Sequence, residues 1–168
     1  MLVPSEPLSL ANNPAITMGP LIGITWTPSS QVGGSPILDY QVWYDNARGD
    51  SNFEILESGV LPAYYTATGL TLGQTYVFFV KARNSVGFSP ASATTTILAA
   101  REPDIPDQPD VLAPYTQISG DNIIVTWSKP YYGGSAITSY IIQFRQSDNS
   151  TYSLNSNCNG GDSIYLTH

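Results

Sequence analysis

Residues 21–44 of this 168-residue chain, LIGITWTPSSQVGGSPILDYQVWY, carry the pattern from which its fold can be predicted. Apolar residues alternate with small or polar ones up to Trp26, and a second alternating run passes through Tyr40 and Val42. A period of two places every second side chain on one face of a β-strand. The Gly-Gly-Ser triplet between the two runs is typical of a turn. We therefore predict two β-strands here, each with one face in a core.

The same pattern returns in NIIVTWSKPYYGGSAITSYIIQF, residues 122–144. Trp26 and Trp127 lie 101 residues apart, and the two Gly-Gly pairs lie 100 apart. Repetition at a fixed spacing indicates repeated structural units, and roughly 100 residues is an ordinary domain size. We interpret the chain as two copies of one unit.

The rest of the first unit favours an antiparallel sandwich. Gly, Pro, Asn and Ser interrupt the alternating runs every 8 to 12 residues or so, and no segment sustains a helical period. In GLTLGQTYVFFVKARNSVGFSP, residues 69–90, Leu70 precedes Tyr76 by six residues across a turn containing glycine. This spacing predicts a tyrosine corner, in which the phenol bonds back to the chain upstream.

These residues resemble the fibronectin type III family, whose domains are immunoglobulin-like β-sandwiches. The resemblance implies an all-β chain with two such sandwiches in tandem, the second incomplete. It predicts a complete domain at 4–100, a Pro-rich acidic linker at 101–109 and a partial domain at 110–168. The residues that carry the core signature are Trp26, Tyr40, Leu70, Tyr76, Trp127 and Tyr140.

The second unit departs from the family pattern. No second copy of the Tyr-x-Phe-x-Val-x-Ala strand follows NSNCNGGDSIYLTH, so Tyr140, Ile142 and Phe144 would line an open sheet edge. We expect the natural protein to continue beyond His168 and close that sheet. The alternative is a strand donated by another chain. Cys158, the one cysteine, is then a candidate for a disulfide with a residue outside this chain.

Arg48, Gly49 and Asp50 spell the Arg-Gly-Asp adhesion signal in the connection DNARGDSN. Its Asp, Asn and Gly residues are also what a tight exposed turn needs. In the adhesive repeat of fibronectin the signal lies on the loop between the sixth and seventh strands, which here reads NSVGFSP. The adhesion hypothesis therefore stands beside a purely structural interpretation of the same turn.

Composition limits the function classes. The net charge is −7 and only six basic residues are present, which excludes a nucleic-acid partner. No apolar stretch is long enough for membrane insertion in this segment. Charged residues are 11% of the chain, a surface that favours an extracellular or cell-surface setting; a cytoskeletal or ciliary setting is the alternative. The single histidine is His168, so we expect no enzyme, no catalytic residues and no cofactors.

Three further sites are hypotheses from the sequence. The linker carboxylates are candidate calcium ligands, although their spacing matches no calcium-loop template: Glu102, Asp104, Asp107 and Asp110. Asn149 begins an Asn-Ser-Thr glycosylation triplet, which would make the protein a glycoprotein. Tyr131 and Tyr132 are loop aromatics that could stack on sugars or pack against a partner.

The resemblance implies a structural spacer and protein–protein interaction segment of a larger multidomain protein. Its partners would be proteins, among them neighbouring repeats or chains of the same assembly. The alternatives are an Arg-Gly-Asp-dependent adhesion ligand, an accessory domain of a secreted carbohydrate-active enzyme, and an intracellular cytoskeletal or ciliary scaffold array.

Overall fold

A computed structural model describes residues 1–107, 116–119, 122–125 and 127–154. The chain divides into two compact units, Met1–Arg101 and Glu102–His168. All regular secondary structure in the described residues is β-strand, and it confirms the predicted all-β sandwich class.

The first unit has seven antiparallel strands in two sheets. They are β1 (Leu8–Asn12), β2 (Ile22–Thr27), β3 (Asp39–Tyr44), β4 (Glu54–Val60), β5 (Tyr64–Ala67), β6 (Thr75–Arg83) and β7 (Thr95–Leu98). One sheet has the order β1-β2-β5 and the other the order β4-β3-β6-β7. Strands β3 and β6 are central in the second sheet, where Tyr40 lies opposite Ala82 and Tyr44 opposite Phe78.

The core lies between the two sheets, because each central strand turns its apolar residues to the same side. In β6 the burial alternates strictly, and the even-numbered residues from Tyr76 to Ala82 are at most 3% exposed. Ile22 and Ile24 of β2 are fully buried in the same cluster. Burying each such side chain stabilises the folded state by about 1.5–3 kcal/mol.

Gly23 shows how closely the first sheet is covered on its outer side. A Cβ atom at this position would lie 2.6 Å from Cβ of Ile16, in the segment between β1 and β2. The backbone of this segment bonds across the same site, since Asn13 N donates to Gly23 O at 2.8 Å. A side chain at position 23 would therefore displace the segment.

The second unit repeats two local features of the first. Gly33 and Gly34 have φ angles of +70° and +83°, and Gly133 and Gly134 have +68° and +91°. Positive φ of this size favours glycine, which explains the Gly-Gly pair in both turns. The strands of this unit are β8 (Thr116–Ser119), β9 (Asn122–Val125), β10 (Gln143–Arg145) and β11 (Tyr152–Leu154). They form the antiparallel pairs β8-β9 and β10-β11.

The second unit has a shorter strand after its Gly-Gly turn than the sequence pattern predicts. Residues 136–142 are not in a strand, and only Gln143–Arg145 pairs with β11. Strand β3 is the counterpart of β10 in the first unit. It has a partner on each side, β4 and β6, and pairing on both sides holds a strand extended.

The Pro-rich stretch is also placed differently. Glu102–Asp107, expected as linker, groups with the second unit. Asp104 N donates to Tyr131 O at 2.9 Å, as Ser5 N donates to Gln31 O at 2.9 Å in the first unit. The stretch therefore occupies the place that the N-terminal segment occupies in the first unit.

Candidate functional site: the Arg-Gly-Asp turn

The Arg-Gly-Asp sequence lies in the turn between β3 and β4, and a buried carboxylate organises that turn. Asp45 is fully buried, and its side chain accepts hydrogen bonds from Ala47 N at 3.1 Å and Gly49 N at 3.3 Å. It also accepts one from Val77 N of β6 at 3.0 Å. A buried carboxylate is stable only when such donors replace its hydration. Asp45 thus ties the turn to the central strand.

The backbone of the turn is held in a conformation that side chains disfavour. Asn46, Ala47 and Gly49 have φ angles of +52°, +55° and +67°. Only glycine adopts this region freely, so the cost at Ala47 must be offset by the bonds to Asp45. Gly49 is at an open position, with nothing within 4 Å of an added Cβ. Its role is conformational, since no neighbour limits a side chain there.

Arg48 is presented to solvent but has a partner in the same hairpin. Its Nη2 atom lies 2.5 Å from Oε2 of Glu54, and the two side chains are 41% and 42% exposed. The hydrogen bond to Glu54 raises the pKa of Arg48, and Arg48 in turn lowers the pKa of Glu54. A surface pair of this kind contributes little free energy.

Asp50 is held by Asn52. Its carboxylate accepts from Asn52 N at 2.9 Å and from Asn52 Nδ2 at 2.8 Å. The hydrogen bonds from Asn52 lower the pKa of Asp50, which keeps the group an anion. The turn thus presents a fixed carboxylate and a guanidinium that is ion-paired within the hairpin. Adhesion through this turn stays a prediction.

The loop between β6 and β7 is held by the side chain of Asn84. Asn84 is buried, and its Nδ2 donates to Leu2 O at 2.8 Å and Val32 O at 3.0 Å. Its Oδ1 accepts from Val86 N and Gly87 N. The Asn84 side chain therefore fixes this loop to two other segments of the unit.

The core signature residues of the first unit are all in the core. Trp26, Tyr40, Leu70 and Tyr76 are at most 9% exposed. The Tyr76 phenol accepts a hydrogen bond from Thr71 N at 2.9 Å, which is the geometry of a tyrosine corner. In the second unit Trp127 and Tyr140 make a ring contact with centroids 5.3 Å apart.

The triplet at Asn149 lies in an exposed turn between β10 and β11. Asp148 accepts bonds from Ser150 N, Thr151 N and Thr151 Oγ1, the last at 2.6 Å. The bonds from Thr151 lower the pKa of Asp148 to about 2. Asn149 itself is exposed with φ of +60°, so its amide is accessible to modification.

The remaining predicted sites are the calcium ligands, the single cysteine and the pair of loop tyrosines. No three His, Cys, Asp or Glu side chains cluster within the described part of the chain, and Asp110 lies outside it, so the calcium site stays a prediction. Cys158 and His168 also lie outside the described residues.

Tyr131 and Tyr132 are 45% and 47% exposed, with ring centroids 5.3 Å apart. No helix in the described ranges is long and apolar enough to cross a membrane.

The sequence patterns include Asp45 and Asn84 but did not predict that both are buried and hold their loops. Each follows directly after a long alternating strand, where Asp and Asn often bond to the backbone two residues ahead. That signal was present in the sequence. The bond from Val77 to Asp45 spans 32 residues, and no local pattern reports it.

Residues 16–97 match the family described as fibronectin type III domain. Mouse Protein sidekick-1 is 28% identical over 158 residues, 86% of this chain and 7% of that protein. Human Myomesin-2 is 25% identical over 154 residues, 88% of this chain and 10% of that protein. The chain thus spans a tenth or less of these two relatives. A structure titled "Titin kinase and its flanking domains" aligns with a TM-score of 0.52 and 22% identity, over 59% of this chain and 18% of that one; it supports the fold alone.

Proposed function

We propose that the chain, whose residues 16–97 match the fibronectin type III family of structural and protein-interaction modules, is a spacer and interaction segment of a larger extracellular or cell-surface multidomain protein. The observation that carries the proposal is the repetition of one construction. The Trp–Tyr contact, the Gly-Gly turn and the pairing of the N-terminal segment occur once in each unit. Repeated units of this kind set distances and present loops.

The site geometry supports binding to proteins. The Arg-Gly-Asp turn, the Asn84 loop and the turn at Asn149 are each held by backbone N–H groups that donate to a buried or capping side chain. Loops fixed in one conformation lose little entropy when a partner binds. Loops on a rigid sandwich are also the usual binding positions of such scaffolds.

Two observations support the extracellular part of the proposal. Charged residues are 11% of the chain, and the only lysines are Lys81 and Lys129. The Asn149 triplet is exposed at the tip of a hairpin, where a glycan can be attached without disturbing β10 or β11. An intracellular scaffold array is the rival, and it gives no role to the triplet.

Labelling of intact source cells tests both parts together. An antibody against residues 1–101 should stain cells without permeabilisation, and a membrane-impermeant amine crosslinker should join the protein to partner proteins. Staining that appears only after permeabilisation would refute the extracellular setting and favour the scaffold array. Surface staining with no crosslinked partner at any reagent concentration would refute the interaction role.

A further inference from the structure

The outer side of the four-stranded sheet carries a row of aromatic rings with an ammonium group above them. Trp43 of β3 and Phe79 of β6 lie opposite each other, with ring centroids 5.6 Å apart and planes at 15°. Phe53 lies against Phe79 with centroids 4.9 Å apart. Lys81 Nζ lies 5.4 Å from the Trp43 centroid and 5.9 Å from that of Phe79. We call Phe53, Trp43, Phe79 and Lys81 the aromatic–cationic face.

This face is on the side of the sheet opposite the core. Its members alternate with Val42, Phe78 and Val80, all of which are fully buried. Its own four side chains are half-buried, and Ile55, opposite Trp43, is 48% exposed. Large aromatic side chains on an outward sheet face are not needed for the core, and they are the residues enriched at protein interfaces.

Lys81 differs from Arg48 and Arg83 of the first unit in its ion pairing. Arg48 pairs with Glu54, and Arg83 pairs with Asp39. Lys81 has no carboxylate within ion-pair distance among the residues that the structure describes, although the chain carries 13 acidic side chains. An ammonium group over two rings, partly removed from water, is placed to receive an anion from outside.

The stacking geometry selects the class of partner. A sugar platform needs an open ring face, but Trp43 and Phe79 face each other and Lys81 covers both. The exposed side chain of Ile55, opposite Trp43, suits contact with aliphatic side chains. We infer that the aromatic–cationic face docks an acidic, aliphatic segment of a partner protein, with a carboxylate on Lys81 and apolar side chains against Trp43 and Ile55. This deepens the proposed function and rests on it.

The test uses the full chain and a defined probe. The probe is a blocked peptide of three Asp-Leu-Pro-Glu repeats, and its neutral counterpart contains Asn-Leu-Pro-Gln repeats. Amide shifts in ¹⁵N spectra locate binding, and a titration gives the Kd. The acidic peptide should shift amides of β3 and β6, bind more tightly than the neutral one, and weaken as salt is raised.

Three variants make the result decisive. Lys81→Gln should weaken binding by about tenfold or more, the effect of losing one charge-assisted hydrogen bond. Lys81→Arg, which retains the cation, should retain binding. Lys129→Gln, an exposed lysine of the second unit, should leave the Kd unchanged. Thermal denaturation of each variant checks that the fold is intact.

Other outcomes overturn the inference. Equal binding of the neutral peptide, or a Kd that Lys81→Gln does not change, removes the role of the cation. Shifts on this face with cellohexaose instead of the peptide would assign it to a carbohydrate, and self-association blocked by Lys81→Gln would assign it to a second copy of the chain. If crosslinking on cells finds partners and this face does not bind the peptide, the proposed function stands and the inference fails.

Discussion

Tyr40 lies edge-on to Trp26, with ring centroids 5.2 Å apart and planes at 69°. Tyr140 and Trp127 repeat the contact in the second unit, at 5.3 Å and 71°. In each unit the tryptophan and the tyrosine are separated along the chain by the Gly-Gly turn. The repeated contact shows that the internal similarity in sequence corresponds to the same side-chain packing in space.

The first prediction concerns Trp26, which is 5% exposed at the centre of the first core. Trp26→Ala should destabilise the first unit by about 3–5 kcal/mol, because it removes the buried ring and leaves a cavity. Urea denaturation followed by the fluorescence of Trp43 measures the change. The matched variant is Trp127→Ala, whose ring is half-buried in the second unit. An unchanged transition of the first unit in Trp26→Ala would contradict this account of its core.

Tyr76→Phe tests the tyrosine corner. The substitution removes the phenol that accepts from Thr71 N and keeps the packed ring, so the loss should be about 1 kcal/mol. Denaturant unfolding measures it. Tyr64→Phe is the control, because Tyr64 is 60% exposed and should change stability by less than about 0.5 kcal/mol. Equal effects of the two variants would show that the phenol of Tyr76 contributes nothing.

Asp45→Ala should lower the stability of the fold more than the same substitution at an exposed acidic residue. It leaves Ala47 N, Gly49 N and Val77 N without their acceptor, and bonds to a charged group contribute about 1.5–3 kcal/mol each before compensation by water. We expect faster amide hydrogen exchange at residues 46–50 and a lower thermal midpoint. Asp107→Ala, at an exposed position, should change neither. Exchange that is equally slow in the Asp45 variant would refute its organising role.

The adhesion hypothesis predicts the effect of a substitution outside the signal itself. Glu54→Gln removes the carboxylate that pairs with Arg48, so an adhesion receptor should meet less competition for Arg48 and attachment of cells should increase by about twofold to fivefold. Asp50→Ala should abolish attachment, and a soluble peptide containing Arg-Gly-Asp should compete. Attachment that ignores both the peptide and Asp50→Ala would refute adhesion through this turn.

The hairpin at Asn149 should depend on pH. The folded pKa of Asp148, about 2, is below its ordinary value of 3.8, so the unfolded chain binds the proton more readily. Its stabilising effect is therefore present above about pH 4 and is lost as the pH falls through about 2. A titration of the Thr151 amide shift by NMR should show the transition in that window. Asp148→Asn should remove it, and a midpoint near 4 would contradict the hydrogen-bonded geometry.

Part of this protein follows from its sequence alone. Strict alternation predicts the strands and their core faces, because an extended chain sends successive side chains to opposite sides. The six-residue spacing from Leu70 to Tyr76 predicts the corner, and the Gly-Gly pair predicts a turn with positive φ. These are local rules, so a short stretch is enough to apply them.

Contacts between residues that are distant in the chain depend on the tertiary structure, because they require particular strands to be neighbours. The bond from Val77 to Asp45 and the row of Phe53, Trp43, Phe79 and Lys81 each join residues that are distant in the chain. Strand β3 lies between β4 and β6, and this pairing alone brings those side chains together. The pattern along one strand fixes which side a residue faces, but only the order of strands in the sheet fixes what it meets there.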